Sequence, residues 1–271
     1  MNLLEIVETV HRIRWRLSRP VTSLLIGPYQ SAFKGEGIEF SDTRPYEPGD
    51  DWRRIHWSLT ARKNLPYIRL GREERELICV IAIDRSPSMQ ISEEKIRLTM
   101  EAAVALGLSA LLNGDRVRWV TFTDRIEAFS SVCRGEKLIW GNLALLLDKP
   151  VRGRHTRLQP LLGWFSSFHR RRSFFILISD LFFQDLETTQ PRLQALSLRH
   201  FVLLATPRLP QEAIDLPWGY LPTEEVEAGA RAVIRSARLS SLPIKGIRTA
   251  LLLPNTSTVV SLREALLPPL R

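Results

Sequence analysis

From residue 77 onward the chain alternates short apolar runs with segments of helical periodicity, and this alternation constrains the fold more than any other feature. Strands are predicted over 77–83, 117–122, 126–132, 174–179 and 200–205, with weaker patterns over 231–235 and 247–253. Helices are predicted over 92–112, 137–147, 158–168, 186–198 and 259–267. Such alternation is typical of an α/β domain in which helices flank a doubly wound, mostly parallel sheet. The run 174–179 is apolar on both faces, as central parallel strands are.

The first 76 residues follow a different pattern. Apolar side chains over 3–18 recur at helical spacing, and Pro20 is expected to end that helix because proline disfavours the helix interior. From residue 27 to about 70 we find no long periodic run, only a stretch rich in Gly, Pro, Asp, Arg and Trp. We therefore predict an N-terminal helix and an extended arm over 1–76, followed by the α/β domain over 77–271.

Composition narrows the class of protein. The chain has 271 residues, and its 44% hydrophobic content is enough for a buried core, while two cysteines are too few for a disulfide scaffold. Acids interrupt the N-terminal segment where a signal peptide would be apolar, and no run approaches the roughly 18 apolar residues of a membrane span. We expect a soluble, cytoplasmic protein without a membrane span.

The net charge of +9 would suit an acidic partner or nucleic acid. The arginines are spread along the chain, however, and the one tight basic run, 169–172, is typical of a solvated helix end. No nucleic-acid-binding motif is present. A basic nucleic-acid-binding protein therefore stays as an alternative, and no specific nucleic-acid partner is predicted.

Oxygen-bearing side chains follow two of the predicted strands. Asp84, Ser86 and Ser88 come after the first strand, Asp180 follows the run 174–179, and Thr156 lies in a polar loop before a helix. Each has a local alternative: a capping turn for the first three, an N-cap for Thr156 and an Asx turn for Asp180. Because the carboxyl ends of parallel strands meet at one edge of the sheet, the five together predict a site for Mg²⁺ or Mn²⁺.

In order and context these five residues resemble the metal-ion-dependent adhesion site (MIDAS) of von Willebrand factor A domains. The resemblance implies that the two serines and the threonine offer hydroxyls to the ion, and that the two aspartates act directly or through water. It also implies an open coordination position for an acidic residue of a protein partner. The sequence departs from that family at Arg154-His155-Thr156, where Gly-Gly-Thr is usual.

The arm carries a second motif. Its elements are Gly37-Ile38-Glu39-Phe40, Arg44-Pro45-Tyr46, Pro48-Gly49-Asp50-Asp51, Arg53-Arg54-Ile55-His56-Trp57 and Ala61-Arg62. They resemble the signature of the bacterial DUF58 family, with departures at His56, where Asp is usual, and at the tail 205–208. One interpretation is structural, with the acids pairing with the arginines and the aromatics anchoring the segment. The other is a partner-binding surface formed by Arg44, Tyr46, Asp50, Asp51, Arg53, Trp57 and Arg62.

The two resemblances together imply a non-enzymatic, metal-dependent protein-interaction module. Proteins of the DUF58 family are usually encoded beside MoxR-type AAA+ ATPases, which implies joint action in chaperone-like assembly or maturation. The enzymatic alternative is a phosphatase resembling the haloacid dehalogenase group, with Asp84 as nucleophile and with Asp180 and Asp185 near the metal. Ser86 occupies the general-acid position of such an enzyme and cannot protonate a leaving group at neutral pH.

Overall fold

The computed structural model describes residues 2–34, 43–63, 65–69, 77–209, 221–224, 231–234 and 247–267. It divides the chain into two compact units, one formed by Met1–Phe33 with Leu77–Arg271 and the other by Lys34–Glu76. The predicted boundary at residue 76 coincides with the end of the second unit. The N-terminal helix, which the sequence pattern groups with the arm, belongs instead to the sheet unit, because its apolar face shares a core with the helices that follow.

Helices and strands are numbered in chain order. The first unit opens with α1 (Leu3–Pro20), a π-helical turn (Val21–Leu25) and α2 (Ile26–Lys34). The second unit contains β1 (Thr43–Pro45), a 3₁₀ turn (Trp52–Arg54), α3 (Trp57–Lys63) and β2 (Tyr67–Arg69). The first unit then resumes with β3 (Ile78–Asp84), a 3₁₀ turn (Pro87–Gln90), α4 (Glu93–Leu112), β4 (Arg116–Phe122), β5 (Ile126–Phe129), α5 (Glu136–Asp148), α6 (Gln159–Phe168), β6 (Phe174–Ile178), α7 (Leu186–Ser197), β7 (Phe201–Pro207), β8 (Leu221–Glu224), β9 (Arg231–Ile234), β10 (Ile247–Leu252) and α8 (Thr258–Leu266).

Six of these strands form one sheet in the order β10-β7-β6-β3-β4-β5. Every neighbouring pair is parallel except β4 and β5, which are antiparallel. The chain proceeds outward from β3 through β4 to β5, then returns to β6 on the other side of β3. Ligands of open α/β sheets bind where the strand order reverses in this way. The predicted mixed α/β fold with a mostly parallel sheet is confirmed, and its reversal point lies between β3 and β6.

Alternate side chains of each central strand enter two separate cores. In β3, Cys79, Ile81 and Ile83 pack with α1, α4, α5 and α8, whereas Val80 and Ala82 face α6 and α7. Because both faces of the sheet are covered, nearly every strand position is apolar, which explains the continuous hydrophobic runs of the sequence. None of the described helices is long and apolar enough to cross a lipid bilayer.

The α-helix α1 ends at Pro20, as predicted, but the helical path does not end there. The chain continues through a π-helical turn into α2, and the Ile26 N–H donates to the Val21 carbonyl five residues back. Hydroxyls of this turn satisfy neighbouring carbonyls, since Thr22 Oγ1 donates to Ser18 O at 2.8 Å. Burial of Val21, Leu25 and Tyr29 stabilises the continuation. The stretch 27–34, expected to be irregular, is helical.

One buried carboxylate joins three helices of the first unit. Glu101 of α4 accepts hydrogen bonds from Arg16 of α1, from Arg97 one turn earlier at 2.9 Å, and from Thr258 of α8 at 2.8 Å. Burial alone would raise the pKa of Glu101, but the Thr258 hydroxyl and the two guanidinium groups lower it. This cluster fixes the N-terminal and C-terminal helices to the same point of α4.

The second unit is small and partly regular. Strands β1 and β2 pair antiparallel with Arg44 opposite Ile68, and Ile55 forms an isolated bridge to Ile68. The predicted extended arm is therefore partly helical, since α3 occupies its centre. The start of the DUF58-like signature, residues 35–42, lies outside the described residues.

Candidate metal centre

The loop after β3 brings three of the predicted donors together. The Asp84 side chain is buried, and its Oδ1 accepts the Ser86 N–H at 2.8 Å. Ser86 is also buried, and its Oγ lies 3.1 Å from the Ser88 Oγ. The Asp84 carboxylate therefore fixes the loop, and the loop places the Ser86 and Ser88 hydroxyls next to each other.

The end of β6 is linked directly to this loop. Ser179 Oγ donates to Asp84 Oδ2 at 2.6 Å and accepts the Leu181 N–H at 3.1 Å. Asp180 follows on the same strand end and is fully buried. Burial raises the pKa of Asp84, and the nearby Asp180 carboxylate raises it further. The structure thus brings two carboxylates to the reversal point of the sheet, as the sequence predicts.

Asp180 is paired with Lys95, a residue outside the predicted site. Lys95 Nζ lies 2.8 Å from Asp180 Oδ2, and their side chains are 1% and 0% exposed. The second carboxylate oxygen accepts the Phe182 N–H at 3.3 Å. Arg208 Nη2 lies 3.4 Å from the Asp180 carbonyl oxygen, and its guanidinium lies 5.3 Å from the Phe182 ring. Asp180 is therefore already neutralised by an ammonium group.

The Thr156 loop is held by Glu127 of β5. Glu127 Oε1 accepts the Thr123 hydroxyl at 2.6 Å and the Gly153 N–H at 2.7 Å. A Cβ at Gly153 would lie 1.9 Å from Thr123 Oγ1, so only glycine fits here. Thr156 is fully buried, and its carbonyl accepts the Gln184 N–H at 3.1 Å. The loop therefore contacts the segment that follows Asp180, while coordination by the Thr156 hydroxyl stays a prediction.

Asp185, the second acid of the phosphatase alternative, has a structural role. Its two carboxylate oxygens accept the Leu158 and Gln159 N–H groups, each at 2.8 Å, at the start of α6. Those backbone donors have no partner within the helix, so the carboxylate stabilises its first turn. Both Asp185 oxygens are therefore engaged in positioning α6 and the loop before it.

The donor set fits a hard cation at Asp84, Ser86 and Ser88. Asp84 accepts hydrogen bonds from two neutral groups, and no basic side chain of the described residues lies within ion-pair distance of it. Adjacent ligands of an octahedral Mg²⁺ ion lie about 2.9 Å apart, close to the 3.1 Å between the two serine hydroxyls. Asp180 uses one oxygen for Lys95 and the other for a backbone N–H, so it fits a water-mediated role. Within the described ranges no cluster of three or more His, Cys, Asp or Glu side chains is present.

A periodicity signal could have identified Lys95. It stands three residues after Ser92, which caps α4, and it shares a helix face with the buried residues Leu98, Thr99 and Ala102. A lysine on the buried face of a helix needs an anionic partner. The helix α4 begins directly after the aspartate-serine loop, so its buried face lies close to Asp180.

The candidate partner-binding residues of the second unit divide into internal and exposed groups. Arg44 Nη2 lies 2.7 Å from Asp50 Oδ1, and Asp50 Oδ2 accepts the Glu47 N–H at 2.9 Å. The Glu47 N–H and the Arg44 guanidinium lower the pKa of Asp50. Asp51 accepts the Arg53 N–H at 3.0 Å and caps the 3₁₀ turn. Arg44 and Asp50 therefore pair within the unit, as the structural interpretation predicts, whereas Asp51 bonds to a backbone N–H.

The aromatic side chains and the last arginine of this unit are more exposed. Trp52 and Trp57 are 64% and 66% exposed, so the expectation that they anchor the segment is wrong. Tyr46 is half-buried and its N–H donates to Pro66 O at 2.8 Å, while Arg62 is exposed at the end of α3. A partner-binding role for these residues stays a prediction.

His56, the departure from the DUF58 signature, has a local explanation. Its Nδ1 accepts the Leu59 N–H at 3.2 Å and lies 3.0 Å from the Ser58 Oγ. An aspartate at this position could accept the same N–H, since it is a preferred N-cap residue. The imidazole thus supplies the acceptor that begins α3.

The fold and the site define a class: a mixed α/β protein with a candidate cation site at the reversal point of a mostly parallel sheet. The family model described as "Protein of unknown function DUF58" matches residues 42–236, which is more than half of the sequence. The chain therefore belongs to the DUF58 family.

Relatives of this chain occur in mycobacteria. It is 26% identical over 234 residues to "Uncharacterized protein Mb1516" of Mycobacterium bovis and to "Uncharacterized protein Rv1480" of Mycobacterium tuberculosis. Each match covers 79% of this chain and 68% of the relative. Among solved structures, "conserved hypothetical protein BatB" from Bacteroides thetaiotaomicron matches with a TM-score of 0.41 and 16% identity, over 70% of this chain and 95% of that chain. A TM-score this low supports no argument about the fold.

Proposed function

We propose that this chain is a von Willebrand factor A-like, metal-dependent protein-interaction module and not an enzyme. Asp84, Ser86 and Ser88 would hold Mg²⁺ or Mn²⁺. The Thr156 hydroxyl would be a further ligand, and Asp180 would contact the ion through a water molecule. The observation that carries the proposal is the Asp84 carboxylate, buried at the reversal point of the sheet without a basic partner among the described residues and beside two adjacent hydroxyls.

The chemistry of this donor set favours binding over catalysis. Bound Mg²⁺ would be a Lewis acid with one open position. Because hydroxyl ligands are neutral, they leave the ion able to attract a carboxylate of a protein partner. Ser86 stands where a phosphatase needs a general acid, and Asp185 is engaged in capping α6. Neither residue supports the phosphatase alternative.

The partner is proposed from the family resemblance. A MoxR-type AAA+ ATPase, acting with this module in chaperone-like assembly or maturation of a target, would supply the carboxylate. We expect this to take place in the cytoplasm, where such an ATPase has access to ATP. The net charge of +9 would favour acidic partners without requiring a specific nucleic acid.

The first test is metal binding itself. Mn²⁺ should bind the wild-type chain with one-to-one stoichiometry, and Asp84→Asn should weaken binding at least about tenfold, because one ligand charge is lost. Asp148→Asn is a matched control, since Asp148 is exposed at the end of α5. Equal Mn²⁺ affinity in wild type and Asp84→Asn would refute the site.

The second test separates binding from catalysis. An EDTA-sensitive pull-down of a MoxR-type ATPase that is lost in Asp84→Asn would support the interaction module. Release of phosphate from an aryl phosphate by wild type, lost in the same variant and without any EDTA-sensitive partner, would instead support the phosphatase.

A further inference from the structure

The edge of the sheet where the parallel strands begin carries a basic cluster. Arg118, near the start of β4, places its Nη1 3.3 Å from His169 Nε2. His169 and His200, which precede β6 and β7, both contact the ring of Phe165, with centroids 5.0 and 4.9 Å away. Burial lowers the pKa of His169, and Arg118 and His200 lower it further. These groups therefore lie close together on the face of the sheet that α6 covers.

The cluster continues onto exposed arginines and contains no acid. Burial lowers the pKa of His200, and the neighbouring Arg199 and Arg172 contribute to that shift. The segments that form this edge, 116–122, 164–174 and 198–205, contain no aspartate or glutamate. Arg116 has other interactions and is not counted here. Five arginines of the edge have no acidic partner within the part of the chain that the structure describes: Arg118, Arg170, Arg171, Arg172 and Arg199.

Helix ends offset only a part of this charge. Helix α6 ends at Phe168 and α7 ends at Ser197, directly before the basic residues. The C-terminal end of a helix carries about half a negative charge, so two ends offset about one of the five positive charges. A solvated helix end therefore explains a part of the basic run, and the remaining charge favours a ligand with several negative groups.

An aromatic cluster adjoins the basic one. The rings of Phe129, Trp164 and Phe168 contact one another, with centroids between 5.4 and 5.7 Å apart. Phe129 and Phe168 are 46% and 53% exposed. The Arg118 guanidinium lies 5.9 Å from the Trp164 centroid and 5.4 Å from that of Phe168. Arg118 thus belongs to both clusters, and together they form one continuous aromatic-basic surface.

We propose that this aromatic-basic surface binds single-stranded nucleic acid without regard to base sequence. The unpaired arginines attract phosphates, and the exposed rings offer platforms on which unpaired bases stack. Charge alone would suit any polyanion. The exposed rings beside it favour a ligand that presents both phosphates and the open faces of its bases.

The aromatic-basic surface is separate from the candidate metal centre. Asp84 lies at the last residue of β3, whereas the basic cluster lies at the edge where the strands begin. A strand of seven residues is roughly 20 Å long. The inference therefore goes beyond the proposed function and does not depend on it.

The test is fluorescence anisotropy with labelled oligothymidylate and oligouridylate of about 20 nucleotides, in EDTA, between about 50 and 200 mM salt. We expect wild type to bind both. Arg170→Gln/Arg171→Gln should weaken binding and reduce the slope of log affinity against log salt by about 1.4, because each lost phosphate contact accounts for about 0.7. Phe168→Ala should weaken binding at least about fivefold with an unchanged slope, because it removes a stacking platform but no charge.

Matched controls are available on α1, which packs on the opposite face of the sheet. Arg12→Gln/Arg19→Gln removes two exposed charges there, and Trp15→Ala removes an aromatic ring that is 81% exposed. Both controls should bind the oligomers as wild type does. Arg170→Gln/Arg171→Gln changes only exposed side chains, so it tests the surface even if Phe168→Ala does not fold.

The outcomes separate this inference from its competitors. Tighter binding of one oligomer would identify DNA or RNA as the preferred ligand. Absence of binding at about 50 mM salt, equal losses in the α1 controls, or equal affinity for a duplex of the same length would overturn the inference. Binding of phosphatidylglycerol vesicles without binding of either oligomer, lost in the same variants, would assign the surface to a membrane instead. Asp84→Asn should bind the oligomers as wild type does, so the metal site and this surface can fail independently.

Discussion

The hydroxyl of Ser179 gives the sharpest test of how the two strand ends are joined. It donates to Asp84 Oδ2 at 2.6 Å and accepts the Leu181 N–H at 3.1 Å, and all three residues are buried. Leu181 also has a positive φ of 65°, a conformation that costs a non-glycine residue about 1–2 kcal/mol. Ser179→Ala removes both hydrogen bonds at the point where the backbone is strained.

The expected loss of stability follows from the two contacts. A buried hydrogen bond to a charged group contributes about 1.5–3 kcal/mol, and a backbone N–H left without an acceptor costs about 1–3 kcal/mol. These effects share one atom and are not additive. We therefore expect Ser179→Ala to lower the free energy of unfolding by about 2–4 kcal/mol.

The measurement is urea unfolding followed by circular dichroism at pH 8 in EDTA, where Asp84 is expected to be ionised and metal is absent. Ser167→Ala is the control, because Ser167 is exposed on α6 and its hydroxyl donates to a carbonyl of the same helix. It should change stability by less than about 0.5 kcal/mol. If Ser179→Ala lowers stability by less than about 1 kcal/mol with an unchanged denaturant slope, the hydrogen-bonded link does not stabilise the strand ends.

Three further perturbations test the surrounding structure. Gly153→Ala should destabilise the fold by about 1–3 kcal/mol by forcing a clash, whereas Gly163→Ala, with open space around it, should be neutral or stabilising in the same urea assay. Burial lowers the pKa of His169 to about 4, and the nearby Arg118 contributes to this shift. As the pH falls, the unfolded chain therefore binds a proton at this histidine before the folded protein does. The free energy of unfolding should consequently fall between pH 6.5 and 4 by up to about 2–3 kcal/mol. His169→Gln should abolish that part of the pH dependence. Glu101→Gln should lower the free energy of unfolding by about 1–2 kcal/mol near pH 7. The loss is this small because the arginine partners of Glu101 are partly exposed and screened by solvent. The difference from wild type should vanish as the pH falls through the lowered pKa of Glu101.

The strands and most helices of the first unit were predictable because their causes are local in sequence. A strand covered on both faces must be a continuous apolar run, as in β6, and a helix such as α4 starts at a serine cap followed by two glutamates. The positions of Asp84 and Asp180 followed from the same logic, since both end such strands.

The rest depended on contacts between distant segments. Continuation past Pro20 is stabilised by packing of Val21 and Tyr29 in the core, which local propensity cannot reveal. Pairing of Lys95 with Asp180 joins residues 85 positions apart in sequence. The exposure of Trp52 and Trp57 likewise reflects tertiary context, because aromatic residues in a motif are equally compatible with anchoring and with a free surface.

The π-helical turn after Pro20 has a consequence for how relatives should be aligned. A turn closed by a bond to the fifth residue back contains one residue more than an α-helical path, so it amounts to a single-codon insertion within a continuous helix. The extra residue rotates everything beyond it by about 100°. That rotation sets the face on which Tyr29 meets Phe174 edge-on at 5.3 Å and reaches Asp115 at 3.2 Å. A relative whose gene lacks that codon would present a different face of α2 to the sheet, and an alignment without a gap there would compare residues that do not occupy equivalent positions.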